Sequence, residues 1–155
     1  MINDRQAMLS ALENAKQAAD SGEVPVGAVV IKNGEIIGEG RNRREKEKNA
    51  VLHAEIEAIA KACEKVGSWR LSGCELFVTL EPCPMCAGAI VNARLDRVVF
   101  GAYDESGGAV ISKAELFRDF GYRPDTVGGY MEKECTEVLT GFFQKRRAEE
   151  NKELH

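Results

Sequence analysis

The chain has 155 residues, 44% hydrophobic and 30% charged, a balance expected of one soluble globular domain spanning residues 1–155 and too short for two comfortable ones. No run approaches the roughly 18 apolar residues of a membrane-crossing helix, and Met1-Ile2-Asn3-Asp4-Arg5 has no signal-peptide core, so the expected compartment is the cytoplasm. A net charge of −4 argues against a surface coated in basic residues, and five cysteines in a reducing compartment fit metal ligation better than disulfides.

From Asp4 to Ala19, Ala7-Met8, Leu9, Ala11-Leu12, Ala15 and Ala18-Ala19 recur at helical spacing, with Asn3 or Asp4 as N-cap and Gly22 closing the helix. Val24–Ile31 and Glu35–Gly40 then predict a hairpin about Lys32-Asn33-Gly34, because Asn-Gly between β-rich runs is the strongest short hairpin signal. Val26 to Ile31 is nearly all apolar, as in a strand buried on both faces, and Gly27 and Ala28 let a ligand or helix come close. Asn42 to Ala50 reads as a loop. It belongs to a basic cluster, Arg41, Arg43, Arg44, Lys46 and Lys48, interrupted by two glutamates, and the plain alternative is a solvated face.

Leu52 to Val66 returns to helical spacing, which puts His53 and Glu55 in a first turn. After the break at Gly67-Ser68-Trp69-Arg70-Leu71, a strand from Glu75 to Leu80 runs through Glu81-Pro82-Cys83 into a small-residue helix, Met85 to Asn92. Arg97 to Gly101 is a third apolar strand, and Gly107-Gly108 marks a loop after Asp104. Lys113 to Phe120 reads as a short helix and Gly121 to Val127 as irregular or weakly extended. Met131 to Glu150 reads as a terminal helix with Cys135, Val138, Leu139, Phe142 and Phe143 inward, and Lys145-Arg146-Arg147 form a second basic group. The order α-β-β-α-β-α-β followed by a mixed tail predicts a three-layer α/β/α sandwich with a central mixed sheet.

The chemistry gathers in two places. Cys83 and Cys86 are separated by two residues at a helix start, where the helix N-terminus favours thiolates and both sulfurs can face one tetrahedral ion. His53, the only histidine before the last residue, offers a nitrogen about thirty residues upstream. Three protein ligands leave a fourth position open, the arrangement of a catalytic zinc, with Glu55 beside the metal as proton shuttle. A bare Cys-x-x-Cys would read as a redox pair or half a structural zinc site. A structural fourth ligand would have to be Cys63, Cys74 or Cys135, each placed where a buried, inert cysteine is commoner.

His53-Ala54-Glu55 and Pro82-Cys83-Pro84-Met85-Cys86 together match the His-x-Glu … Pro-Cys-x-x-Cys signature of zinc-dependent nucleobase deaminases. Further matches are Gly22 to Ala28, Asn42 after Gly40-Arg41, Gly67 to Leu71, Val78 to Ala89, Val98 to Ala102, Cys135, Phe142-Phe143 and Arg146-Arg147. On these the chain resembles the cytidine deaminase-like superfamily, most closely the bacterial tRNA-specific adenosine deaminases, over almost its whole length. The resemblance implies one Zn2+ per chain on His53, Cys83 and Cys86, with Glu55 as the catalytic proton carrier. It places Asn42 and Ala54 at substrate-binding positions, and a turn-forming Asn42 is the alternative. It also implies adenosine-to-inosine conversion at the tRNA wobble position, an anticodon loop as partner, and a homodimer. Two segments depart from the family: Val110 to Glu115 replaces a Gly-Ser-Leu-Met-like run, and Gly121-Tyr122-Arg123-Pro124-Asp125 replaces Asn-His-Arg. They keep open a smaller substrate, such as a free purine or pyrimidine base, nucleoside or nucleotide. A non-catalytic zinc-stabilised module is the more distant alternative.

Overall fold

The computed structural model describes residues 1–153. Helix α1 (Asp4–Asp20) starts at Asn3, whose side chain accepts the Gln6 N–H at 2.9 Å while the Gln6 side chain accepts the Asn3 N–H at 3.0 Å. This reciprocal capping box satisfies two backbone donors in the helix's N-terminal turn. Strands β1 (Gly27–Lys32) and β2 (Glu35–Arg41) pair antiparallel with Lys32 opposite Glu35. Asn33 and Gly34 between them have φ of 51° and 76°, the left-handed pair that a two-residue hairpin turn demands. Strand β1 begins at Gly27 and not at Val24, because Pro25 has no N–H for the ladder and the Val26 N–H bonds back to the Val24 carbonyl.

Helix α2 (Ala54–Val66) ends at Gly67 in the left-handed conformation, strand β3 (Cys74–Leu80) leads into helix α3 (Pro84–Ala93), and strand β4 (Arg97–Ala102) follows. A single turn α4 (Leu116–Asp119), a short strand β5 (Asp125–Val127) and helix α5 (Glu132–Glu153) complete the order. The sheet runs β2-β1-β3-β4-β5, antiparallel from β2 to β3 and parallel from β3 to β5.

Alternation along the central strands divides the interior in two. Ala28, Val30, Leu76, Val78, Val98 and Phe100 face α2 and α3, while Val29, Ile31, Phe77 and Val99 face α1 and α5. The result is the expected three-layer α/β/α sandwich on a mixed sheet. No helix among the described residues is long and apolar enough to cross a membrane.

Four expectations are corrected in detail. Helix α2 starts at Ala54, so His53 is its N-cap and lies just before the first turn. The helix expected from Lys113 shrinks to Leu116–Asp119, because the Lys113 and Ala114 amides bond back to the Gly108 carbonyl and Leu116 to Ala109. Part of the segment read as irregular, Asp125 to Val127, pairs in register with Arg97 to Val99 and becomes the fifth strand. On α5 the inward stripe fades toward its end: Cys135 is buried and Val138 and Leu139 pack on the core, but Phe143 is exposed and edge-to-face against Phe142.

Candidate active site

Strand β3 passes through Glu81-Pro82 directly into α3, with Cys83 as N-cap, Pro84 opening the helix and Cys86 in its first turn. Since α2 and α3 pack on the same sheet face, the N-cap of each meets at one point. There the Cys83 and Cys86 sulfurs each lie 3.6 Å from His53 Nδ1, and all three donor atoms fall within 4.8 Å of one another. With bonds of about 2.3 Å to sulfur and about 2.0 Å to nitrogen, a tetrahedral zinc needs a sulfur–nitrogen edge of about 3.5 Å. The donor set and its spacing fit that ion.

The electrostatics point the same way. A hydrogen bond from Cys86 holds the Cys83 thiol down to about 4 despite burial, and the His53 imidazole helps. Cys86 moves upward because the proton it donates to Cys83 is shared between them and burial resists a second thiolate. Interaction with Cys83 pushes His53 up, opposed by burial and aided by Glu55. A dication would replace the shared proton, so metal affinity falls as the pH drops.

Glu55 follows in the first turn of α2, with only 4% of its surface exposed. Burial pushes its carboxyl up to about 7, with the Cys83 thiolate raising it further and the Glu55 N–H and His53 opposing. A carboxyl poised there can both take and return a proton near neutral pH.

A cavity of about 180 Å³ opens beside this cluster, lined by Val24, Val26, Asn42, Ala54, Leu80 and Asp104 together with His53, Glu55 and Cys83. It is smaller than the roughly 300–1,000 Å³ that encloses a whole drug-sized ligand, a size suited to a single base. All six residues singled out from the sequence are thereby brought together, five lining the cavity and Cys86 completing the donor triangle. Asn42 also makes the turn: its Nδ2 donates to the Val24 carbonyl at 3.3 Å and its Oδ1 accepts the Arg44 N–H at 3.1 Å.

Of the basic cluster, Arg43 is taken up by Glu57 at 2.7 Å and Arg41 donates to Gln17, leaving Arg44 at the pocket and Lys46 and Lys48 exposed. Sequence reasoning missed two buried acids beside the pocket loops. Glu23 accepts the Glu45 and Lys46 N–H groups at 3.0 and 2.7 Å, and Glu81 anchors the loop after β4. For Glu81 the position two residues before Cys83 was a signal, whereas for Glu23 the donors lie more than twenty residues away.

A family model described as MafB19-like deaminase matches residues 2–147. The chain is 46% identical over 149 residues to the tRNA-specific adenosine deaminase of Bacillus subtilis (strain 168), covering 95% of this chain and 92% of that one. It is 42% identical to the tRNA-specific adenosine deaminase of Haemophilus influenzae, over 94% and 86% of the two chains. Among solved structures, a tRNA:A34 deaminase from work on A-to-I editing at the wobble position matches with a TM-score of 0.84 and 42% identity, over 87% of this chain and 99% of that one. Guanine deaminase from Bacillus subtilis matches at 33% identity and a TM-score of 0.64, over 94% and 95%.

Proposed function

The chain belongs to the MafB19-like deaminase family and is a deaminase, and we propose that it converts adenosine to inosine at the wobble position of tRNA as one hydrolytic domain spanning residues 1–155. What carries this reading is the convergence of His53, Cys83, Cys86 and Glu55 on a base-sized cavity, in a chain 46% identical to a tRNA-specific adenosine deaminase. His53 Nδ1 and the two cysteine sulfurs would hold the metal, one per chain. When bound there, zinc supplies the Lewis acidity that makes water nucleophilic near neutral pH.

The chain's own groups do the rest. Glu55 takes a proton from the attacking water and delivers it to the adenine ring nitrogen. A further transfer to the exocyclic amine lets it leave as ammonia, so C6 exchanges a C–N bond for C=O. Glu55 is nearly free of solvent, so its carboxylate is reserved for this traffic. Val24, Val26 and Leu80 give the base an apolar surround, and Ala54, with no bulk beyond Cβ, lets it approach the cluster. Asn42 is held by Val24 and Arg44 and presents its remaining amide capacity to the base edge. The exposed Arg44, Lys46 and Lys48, with Lys145, Arg146 and Arg147 on α5, contact phosphates of the splayed anticodon loop. The active form is a cytoplasmic homodimer.

A free-base reading draws on the likeness to a guanine deaminase and on the small cavity. One assay decides: ammonia release from an anticodon stem-loop RNA with adenosine at the wobble position, set against guanine, adenosine and cytidine. Turnover of the RNA is expected. Turnover of a monomer with none on RNA overturns the proposal.

A further inference from the structure

Glu81 is 2% exposed and lines the pocket, yet it takes no part in the donor triangle or in proton transfer. Its carboxylate accepts five hydrogen bonds, all from the loop that follows β4. Oε2 receives the consecutive N–H groups of Val110, Ile111 and Ser112 at 3.2, 2.8 and 2.9 Å, while Oε1 receives the Asp104 N–H at 3.2 Å and the Ser112 hydroxyl. Three successive amides converging on one oxygen form a concave anion-binding nest. Gly108 lies so close that a Cβ there would stand 2.4 Å from the carboxyl carbon, so the loop is wrapped onto this side chain. Asp104, which opens the loop, itself lines the pocket and is stiffened by accepting from Ser106 and Gly107.

The backbone that carries the cysteines has bonds of its own, and the loop touches it through one backbone bond, the Ala109 N–H on the Pro82 carbonyl at 2.8 Å. The Glu81 N–H donates to the Ala102 carbonyl at 2.8 Å, continuing the β3–β4 pairing, and Cys83 is set by α3 through the Ala87 N–H at 2.8 Å. We propose that Glu81 is a positioning residue: its carboxylate fixes loop 104–112 and with it Asp104, the loop residue that lines the base pocket, and so acts on substrate binding and not on the metal or the proton path. Only the choice of RNA substrate rests on the function proposed above.

Glu81→Gln keeps the shape but removes the charge and turns an amide N–H toward the loop's own donors. Zinc content, amide hydrogen exchange and kinetics on the anticodon stem-loop RNA are measured for this variant, Ser112→Ala and the double variant. Loss of charge-assisted bonds predicts KM about tenfold higher with kcat within about threefold for Glu81→Gln, and about two- to threefold higher KM for Ser112→Ala. The double variant should match Glu81→Gln, since both act through one contact. Exchange should accelerate at Val110 to Ser112, with α3 protection and zinc content unchanged. Unchanged KM, lost zinc, a kcat defect at constant KM or additive losses would each overturn the proposal. If the wild type fails on RNA, the substrate reading falls, and unaccelerated exchange in Glu81→Gln overturns the positioning role independently. Should Glu81→Gln not fold, an unaltered Ser112→Ala overturns it.

Discussion

Replacing Gly40 by alanine puts a methyl group 2.1 Å from the Ala54 carbonyl oxygen and 2.7 Å from the Ala58 nitrogen. Both are backbone atoms of α2, so no flexible side chain can yield. Ordinary contact begins at 3.4 Å, so the start of α2 must retreat from β2 by about 1.3 Å (3.4 − 2.1). Overpacking of this kind costs roughly 1–3 kcal/mol, and in a 155-residue domain that lowers Tm by roughly 2–12 °C. The functional loss should be larger in proportion. His53 and Glu55 sit at the very end of the helix that moves, while Cys83 and Cys86 stay on α3. A misplacement of about 1 Å at reacting groups costs on the order of 100-fold in rate. Calorimetry, zinc content and kcat/KM on the stem-loop RNA measure the effects. Gly141→Ala is the control: nothing lies within 4 Å of its Cβ in the middle of α5, and it should stabilise by roughly 0.5–1 kcal/mol without touching activity. A Gly40→Ala protein with wild-type Tm and turnover would refute the claim that helix–glycine contact sets the site.

The remaining expectations concern single groups. Glu55→Gln should lower kcat by roughly 10²–10⁴-fold while retaining zinc; turnover within tenfold of wild type removes Glu55 from the proton path. Cys83→Ala should take zinc from about one per chain to near none by elemental analysis, with activity lost alongside. An unchanged metal content contradicts the ligand set. Arg97 hydrogen-bonds to Asp4 and holds its carboxyl below the usual 3.8. A folded-state pKa below the unfolded one contributes stability above the unfolded value, and that contribution is lost as pH falls through the folded value. Asp4→Asn should therefore destabilise at pH 7, by no more than about 1 kcal/mol at this solvent-screened position. The gap to wild type should close as pH drops below 3.8; a gap that persists in acid assigns the loss to packing.

What was legible in the sequence depended on neighbours along the chain. The Asn33-Gly34 turn follows from the backbone conformations those residues tolerate, and strand alternation follows from a two-residue period. The cysteine pair was readable because its spacing at a helix start nearly sets where the sulfurs point, while its pairing with His53-Ala54-Glu55, thirty residues upstream, rested on the match to the deaminase signature. The rest depended on contacts between distant segments. Strand β5 exists because three residues find Arg97 to Val99 beside them; the β-branched Thr126 and Val127 give only a weak extended signal, too short to name a strand. Arg43 reads as a free cation until Glu57, fourteen residues on, neutralises it. Nothing beside Glu23 or Glu81 along the chain shows that the fold will surround them with donors 22 to 31 residues away. Local stereochemistry decided which groups do the chemistry. Burial and long-range hydrogen bonding decided the shape of the pocket around them, because the free energy of a buried carboxylate is set by whatever the rest of the chain places against it.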